Sequence, residues 1–279
     1  MPQFDITIWG SRGSFPAAGA AMRDYGGNTS CVEVRVADRT LVLDAGTGIE
    51  ALGRDLLQRG APPIDLFLTH GHYDHVMGLP FFAPLHTPDY PVTLHYAGCD
   101  AAKDGAALLD QLIDTPFLPF RASDFRGDLR HERLQASSII ELGDGCTLST
   151  FSVNHPGGSL AFRLSYAGQS FIYLPDFEHD DGPQDAALIS FLQGADLALM
   201  DCCYLPQEYP KFKGFGHSHW QRVSELADAA DVGKWGAFHH AHTRSDAELD
   251  ALSQSISDAG SRGFVVKEGM TIDLTAPQL

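Results

Sequence analysis

The alternation of apolar and polar positions predicts a chain of short strands separated by turns, with a few helices between them. Phe4 to Trp9 alternates with period two, the mark of a strand with one buried face, and Val32 to Val36 and Leu41 to Leu43 read as two more. From Ile49 to Gln58 the apolar spacing becomes helical, and the mostly apolar run Ile64 to Leu68 returns to strand length. Further strands are predicted at Val92 to Tyr96, Thr147 to Val153, Phe171 to Leu174, Ala195 to Met200 and Lys234 to Phe238. Helical spacing recurs over Ala101 to Leu112 and Arg222 to Ala230, and Gly78 to Phe82 reads as a short helix. Gly10 to Pro16 is a turn-rich loop. Asp114 to Phe120, aromatic and proline-rich, can either cover the core or wall a pocket.

Chemistry collects where the strands end. After Leu68 comes Thr69-His70-Gly71-His72-Tyr73-Asp74-His75, in which imidazole and carboxylate are concentrated. These are the ligands that borderline divalent cations prefer, zinc first among them. Three later strands also run into a histidine or aspartate at the same end: His155 follows Val153-Asn154, Asp176 follows Leu174-Pro175, and His239-His240 follows Phe238. Adjacent residues of a strand point to opposite faces, so only one of His239 and His240 can face the others. Asp201 closes a fourth strand, and the turn Gly214-Phe215-Gly216-His217-Ser218-His219 precedes a helix.

The chain has 279 residues, 44% of them apolar and 20% charged, enough for a sizeable core in an ordinary globular protein. No apolar run is long enough to span a membrane, and the N-terminus lacks the basic and apolar regions of a signal peptide. Five cysteines, Cys31, Cys99, Cys146, Cys202 and Cys203, show no C-x-x-C spacing and read as reduced thiols in a cytoplasmic protein. A formal charge of −17 opposes binding of long nucleic acids, which depends on lysine and arginine contacts. A small anionic substrate remains admissible, since bound cations offset charge locally.

The spacing H-x-H-x-D-H resembles that of the metallo-β-lactamase superfamily, and the resemblance extends over nearly the whole chain. It implies a four-layer αββα sandwich in one domain spanning residues 1–279, each half of the chain supplying a sheet, with metals at one edge between the sheets. It implies two metal ions: His70, His72 and His155 on the first, Asp74, His75 and His240 on the second, and Asp176 between them. The family's closing motif puts the ligand directly before a short turn, which favours His240 over His239. Asp44, in an Asp-x-Gly after its strand, is implied to support the ligand loop from beneath. Zinc is the implied cofactor, and the same donors accept manganese or iron.

Trp9 to Ser14, Tyr25 to Cys31 and Leu79 to Phe82 resemble a bacterial branch akin to the phosphoribosyl cyclic phosphodiesterase and tRNase Z. In phosphodiesterase branches, an acidic residue on the preceding strand and a Gly-His-Ser turn handle the proton of the leaving group. Asp201 and His217 fall on those positions, with aspartate where tRNase Z more usually has glutamate. Asp74 is implied to orient the nucleophile. The expectation is a metal-dependent hydrolase of a small, cyclic phosphodiester or nucleotide. Its rivals are a tRNase Z-like nuclease, an ester, lactone or thioester hydrolase, and a binding protein without activity. Many relatives are dimers, so a homodimer is admitted. His179, His219 and His242 receive no role.

Overall fold

The computed structural model describes residues 3–98, 103–180 and 182–276; Met1, Pro2, Cys99 and the start of the helix expected from Ala101 lie outside the described residues. Two seven-stranded sheets face each other, their strands numbered here in chain order. The first runs, in space, β16 (Thr271–Asp273), β1 (Phe4–Gly10), β3 (Cys31–Val36), β4 (Arg39–Leu43), β5 (Ile64–Leu68), β6 (Pro91–Tyr96) and β7 (Asp128–Arg133). The second runs β15 (Gly263–Val265), β13 (Lys234–Phe238), β12 (Leu197–Asp201), β11 (Gln169–Leu174), β10 (Ser159–Tyr166), β9 (Cys146–Val153) and β8 (Ile139–Gly143). A two-strand ladder of β2 (Arg12–Gly13) and β14 (His240–Ala241) stands apart.

Four layers follow from the period-two alternation of the central strands. Leu41 and Leu43 of β4 point between the sheets with Phe162, Phe171, Tyr173, Leu197 and Leu199. Val42, between those two leucines, faces outward and packs with Ile49, Leu52 and Leu56 of helix α1 (Ile49–Gln58). On the second sheet Ile172, Leu174, Ala198 and Met200 face outward against Val223 and Leu226 of α4 (Trp220–Ala229) and Leu249 of α5 (Asp246–Asp258). A strand apolar on both faces stays buried only if helices cover the second one. The expected αββα sandwich is therefore the observed fold.

The halves do not divide as cleanly as expected. β16, at the C-terminal end of the described chain, pairs antiparallel with β1 and completes the edge of the first sheet. Leu118 and Phe120 pack against the outer cluster under that sheet, so the Asp114–Phe120 loop covers core. The described part of the helix expected over 101–112 is α3 (Gly105–Leu112), capped by the Asp104 side chain.

The topology puts the chemistry on one edge. β4 and β5 are parallel, as are β11, β12 and β13, and β9 runs the same way as β11 because both pair antiparallel with β10. Residues just past the carboxyl ends of these strands meet at the rim, where open α/β sheets hold their ligands.

Candidate metal centre

Six elements deliver the side chains. His70 and His72 lie in the loop after β5, and Asp74 and His75 in the single turn α2 (Tyr73–Val76) that follows. His155 follows β9, Asp176 follows β11, Asp201 ends β12 and His239 follows β13. His70, His72, His155 and Asp176 form one group whose donor atoms all lie within 4.8 Å of one another, and Asp74, His75 and His239 form a second.

Asp176 joins the two groups with one oxygen each. Its Oδ2 is 3.5 Å from His155 Nε2 and 3.7 Å from His70 Nε2. Its Oδ1 is 3.0 Å from His75 Nε2 and 3.1 Å from His239 Nε2. Asp74 Oδ2 closes the second group at 3.1 Å from His239 Nε2 and also accepts the Ser14 N–H at 2.7 Å.

The structure corrects the expectation for His240. β13 ends at Phe238, and His239 takes a left-handed backbone with φ of 57°, so the alternation rule stops applying one residue before it was needed. The turn aims His239 at the cluster. His240 instead enters the β2–β14 ladder, and its Nε2 bonds the Val266 carbonyl at 3.0 Å. Burial pushes its pKa down to about 3. No residue type signals this choice; the space left by Gly13, where a Cβ would strike the His239 ring, is the nearest trace of it in the sequence.

Three of the imidazoles have their outer nitrogens tied off. His75 Nδ1 lies 2.8 Å from Asp44 Oδ2, and His155 Nδ1 lies 2.8 Å from the Gly216 carbonyl. His70 Nδ1 meets Thr69 Oγ1 at 3.0 Å, and that hydroxyl in turn donates to Asp44. Asp44 also accepts the Thr69 N–H at 2.8 Å and the Tyr173 hydroxyl at 3.0 Å, from a left-handed backbone with φ of 61°. A histidine that spends its Nδ1–H in this way presents a lone pair on Nε2, the usual arrangement around a metal. Gly216, with φ of 89°, is required here, because any Cβ would collide with the His155 ring.

The electrostatics favour cation binding. Burial holds His70, His72 and His155 below the ordinary imidazole pKa, so they are neutral donors. Burial would raise Asp176, but His239 and His75 outweigh it and keep the carboxylate ionised. Burial also opposes the charge on His75, which Asp176, Asp74 and Asp44 nonetheless pull well above the usual value, so a proton on its Nε2 answers the carboxylates that a cation would otherwise satisfy. The buried Nε2 of His70 makes no hydrogen bond. An unsatisfied imidazole nitrogen and a buried carboxylate facing several histidines are what divalent cations would satisfy, so the residues fit two of them.

Beside the second group, His217 Nδ1 lies 2.7 Å from Asp201 Oδ2, and its ring stacks on His239 at 4.9 Å. Burial opposes protonation of His217, but Asp201, Asp176 and Asp74 outweigh it and raise the pKa to about 9. His219 accepts the Arg222 N–H and so starts α4 two residues before the sequence pattern predicts. His179 bonds Ser218 Oγ at 3.1 Å, and His242 is exposed against Phe15. Cys203, unsuspected from sequence, brings its sulfur within 4.8 Å of the His217 and His239 nitrogens.

Residues 39–240, which carry most of these side chains, match the family model described as a beta-lactamase superfamily domain. The chain belongs to the metallo-β-lactamase superfamily. Among curated superfamily members, Ribonuclease Z of Halobacterium salinarum is 23% identical over 326 aligned positions, covering 98% of both chains. Among solved structures, a diphosphatase from the PhnP family superposes with a TM-score of 0.70 at 19% identity, covering 99% of each chain. Zinc-bound PqqB from Methylobacterium extorquens gives 0.69 at 19% identity, with 97% of this chain and 100% of that one covered. Members of this superfamily are metal-dependent hydrolases.

Proposed function

We propose that this superfamily member is a binuclear phosphodiesterase acting on a small phosphodiester, cyclic or nucleotide-like. The observation that carries the reading is Asp176, one oxygen toward each histidine group, with the His217–Asp201 pair beside them. His70, His72, His155 and Asp176 would hold one cation, and Asp74, His75, His239 and Asp176 the other. Zinc is supported by the all-His/Asp donors and by the zinc-bound relative. When bound, the pair supplies Lewis acidity, which lowers the pKa of water and neutralises phosphoryl charge.

The side chains then divide the remaining work. Asp74 keeps Oδ2 on Ser14 N–H and His239, leaving its other oxygen to orient the attacking water. Asp201 fixes Nδ1 of His217, so the proton on Nε2 is the one available to a departing alkoxide. Asp44 keeps His75 and, through Thr69, His70 in register.

A tRNase Z-like nuclease is the second reading, favoured by the full-length similarity to Ribonuclease Z. Against it stand the charge of −17 and an alignment longer than the 279-residue chain, which means the relative carries segments this chain lacks. The test is metal content together with hydrolysis of bis(p-nitrophenyl) phosphate. Two metals per chain and cleavage are expected; two metals without cleavage would redirect the reading to ester, lactone or thioester substrates. Tight retention of tRNA in a gel shift at moderate salt would favour the nuclease.

A further inference from the structure

A cleft of about 770 Å³ opens directly beside His70 and His72, within the range of small-molecule sites. Gly157, Gly158 and Ser159, in the stretch after His155, line it, and so do Arg133, Leu134 and Gln135, which lie at the end of β7, two strands across the sheet from β5 and its histidine loop. Arg133 ends β7 opposite Tyr96 at the end of β6, so it stands on the same rim as the metal-binding groups.

The charge of this cleft is out of keeping with the protein. The chain carries 36 acidic and 19 basic side chains, yet no described residue lining the cleft is a carboxylate, and Arg133 is its one Lys or Arg. Most arginines here lie against an acid; Arg130, three residues earlier on the same strand, reaches Asp128 at 2.8 Å. Arg133 is exposed and makes no ion pair with any described residue. Ser159, whose neighbour Leu160 donates its N–H to the Thr69 carbonyl beside His70, adds a buried hydroxyl with no hydrogen bond. A guanidinium without an ion pair among the described residues, in a cleft whose described lining holds no carboxylate, suits a second negative charge on the ligand, because its fork pairs carboxylate or phosphate with two hydrogen bonds.

We infer that this cleft is a subsite for an anionic tail of the substrate, a carboxylate or phosphate several bonds from the scissile phosphodiester, and that Arg133 recognises it. The inference rests on the phosphodiesterase reading and narrows its substrate class to diesters carrying a further negative charge. Neutral-tailed diesters bind through the metal end alone.

The experiment compares alkyl p-nitrophenyl phosphates of three to six carbons that end in a carboxylate, a phosphate or a neutral carboxamide, using metal-loaded protein. The native protein is expected to prefer an anionic tail over its amide twin by about tenfold or more in kcat/KM, chiefly through KM. Arg133→Gln should bring that ratio to about one, and Arg133→Glu should invert it. The ratio within each variant is the readout, so a general loss of activity cancels, and a melting curve confirms folding. Comparing carboxylate with phosphate identifies the tail. No tail preference in a native protein that cleaves these diesters would overturn the inference and spare the phosphodiesterase reading, as would a preference that survives in Arg133→Gln. No hydrolysis of any diester by the metal-loaded native protein would overturn both.

Discussion

His217 Nδ1 and Asp201 Oδ2 are 2.7 Å apart in the interior, a hydrogen bond that fixes which imidazole nitrogen carries the useful proton. With its pKa raised to about 9, against the penalty of burial, His217 is charged at neutral pH. The donor is present below that value and is lost as pH rises through it. Cleavage of diesters with poor leaving groups should therefore fall on the alkaline side. In Asp201→Asn the fall should move to lower pH, with a loss of roughly 10²- to 10⁴-fold at its maximum. A pH–rate profile of both proteins checks this; an unmoved alkaline limb would remove His217 as the acid.

His239 and His240 should separate cleanly. His239→Ala should take the metal content from about two per chain toward one. His240→Ala should keep both metals but lower stability by about 2–4 kcal/mol, through a lost hydrogen bond to Val266 and a cavity beside Tyr25. Between pH 6.5 and about 3 the unfolded chain protonates His240 while the folded chain does not, so its contribution to stability is lost as pH falls through that window. The variant should lose this part of the acid sensitivity. Elemental analysis and denaturant melts at two pH values read both effects.

Asp44 accepts from Thr69 N–H, Thr69 Oγ1 and Tyr173 Oη as well as facing His75 Nδ1. An amide fits the space but turns a donor toward these groups. Asp44→Asn should weaken metal affinity by about 10–100-fold without touching a ligand. A competition titration against a zinc chelator measures it.

Glu178 latches the loop that carries His217. Its buried carboxylate accepts the N–H of Gly214 at 2.7 Å, that of Gly216 at 2.8 Å and the hydroxyl of Tyr209 at 2.9 Å, while the Gly216 carbonyl holds His155. Glu178→Gln should cut cleavage of poor leaving groups several-fold more than that of p-nitrophenyl esters. Added to His217→Ala, it should change that selectivity little. Rates for a series of leaving groups in the single and double variants test the coupling.

The pattern of apolar positions carried most of the sandwich. Helix Ile49–Gln58 and strand Ile64–Leu68 have the bounds their periodicities predict, because each has one face or run committed to the core. β7, Asp-Leu-Arg-His-Glu-Arg, was illegible: an exposed edge strand held by backbone pairing to β6 has no apolar stripe to read. β10 is absent from the predicted strands although Leu160, Phe162 and Leu164 alternate toward the inter-sheet core. β16 depends on a partner more than 250 residues away, which no local pattern reports. Within the site, every expected metal-binding position except His240 lies in the cluster, because a residue just past a strand inherits that strand's direction. His239 escaped that logic through one backbone torsion.

Asp176 has a mechanical meaning as well as a chemical one. The groups it touches hang from different sheets: His70 and His75 belong to the first, His155 and His239 to the second. A cation held by such a set rivets the two slabs at their rim, so occupancy and adhesion between the slabs are one thermodynamic quantity. Stripping such ions would loosen the seam along which the sandwich comes apart, and whatever loosened the seam would release them.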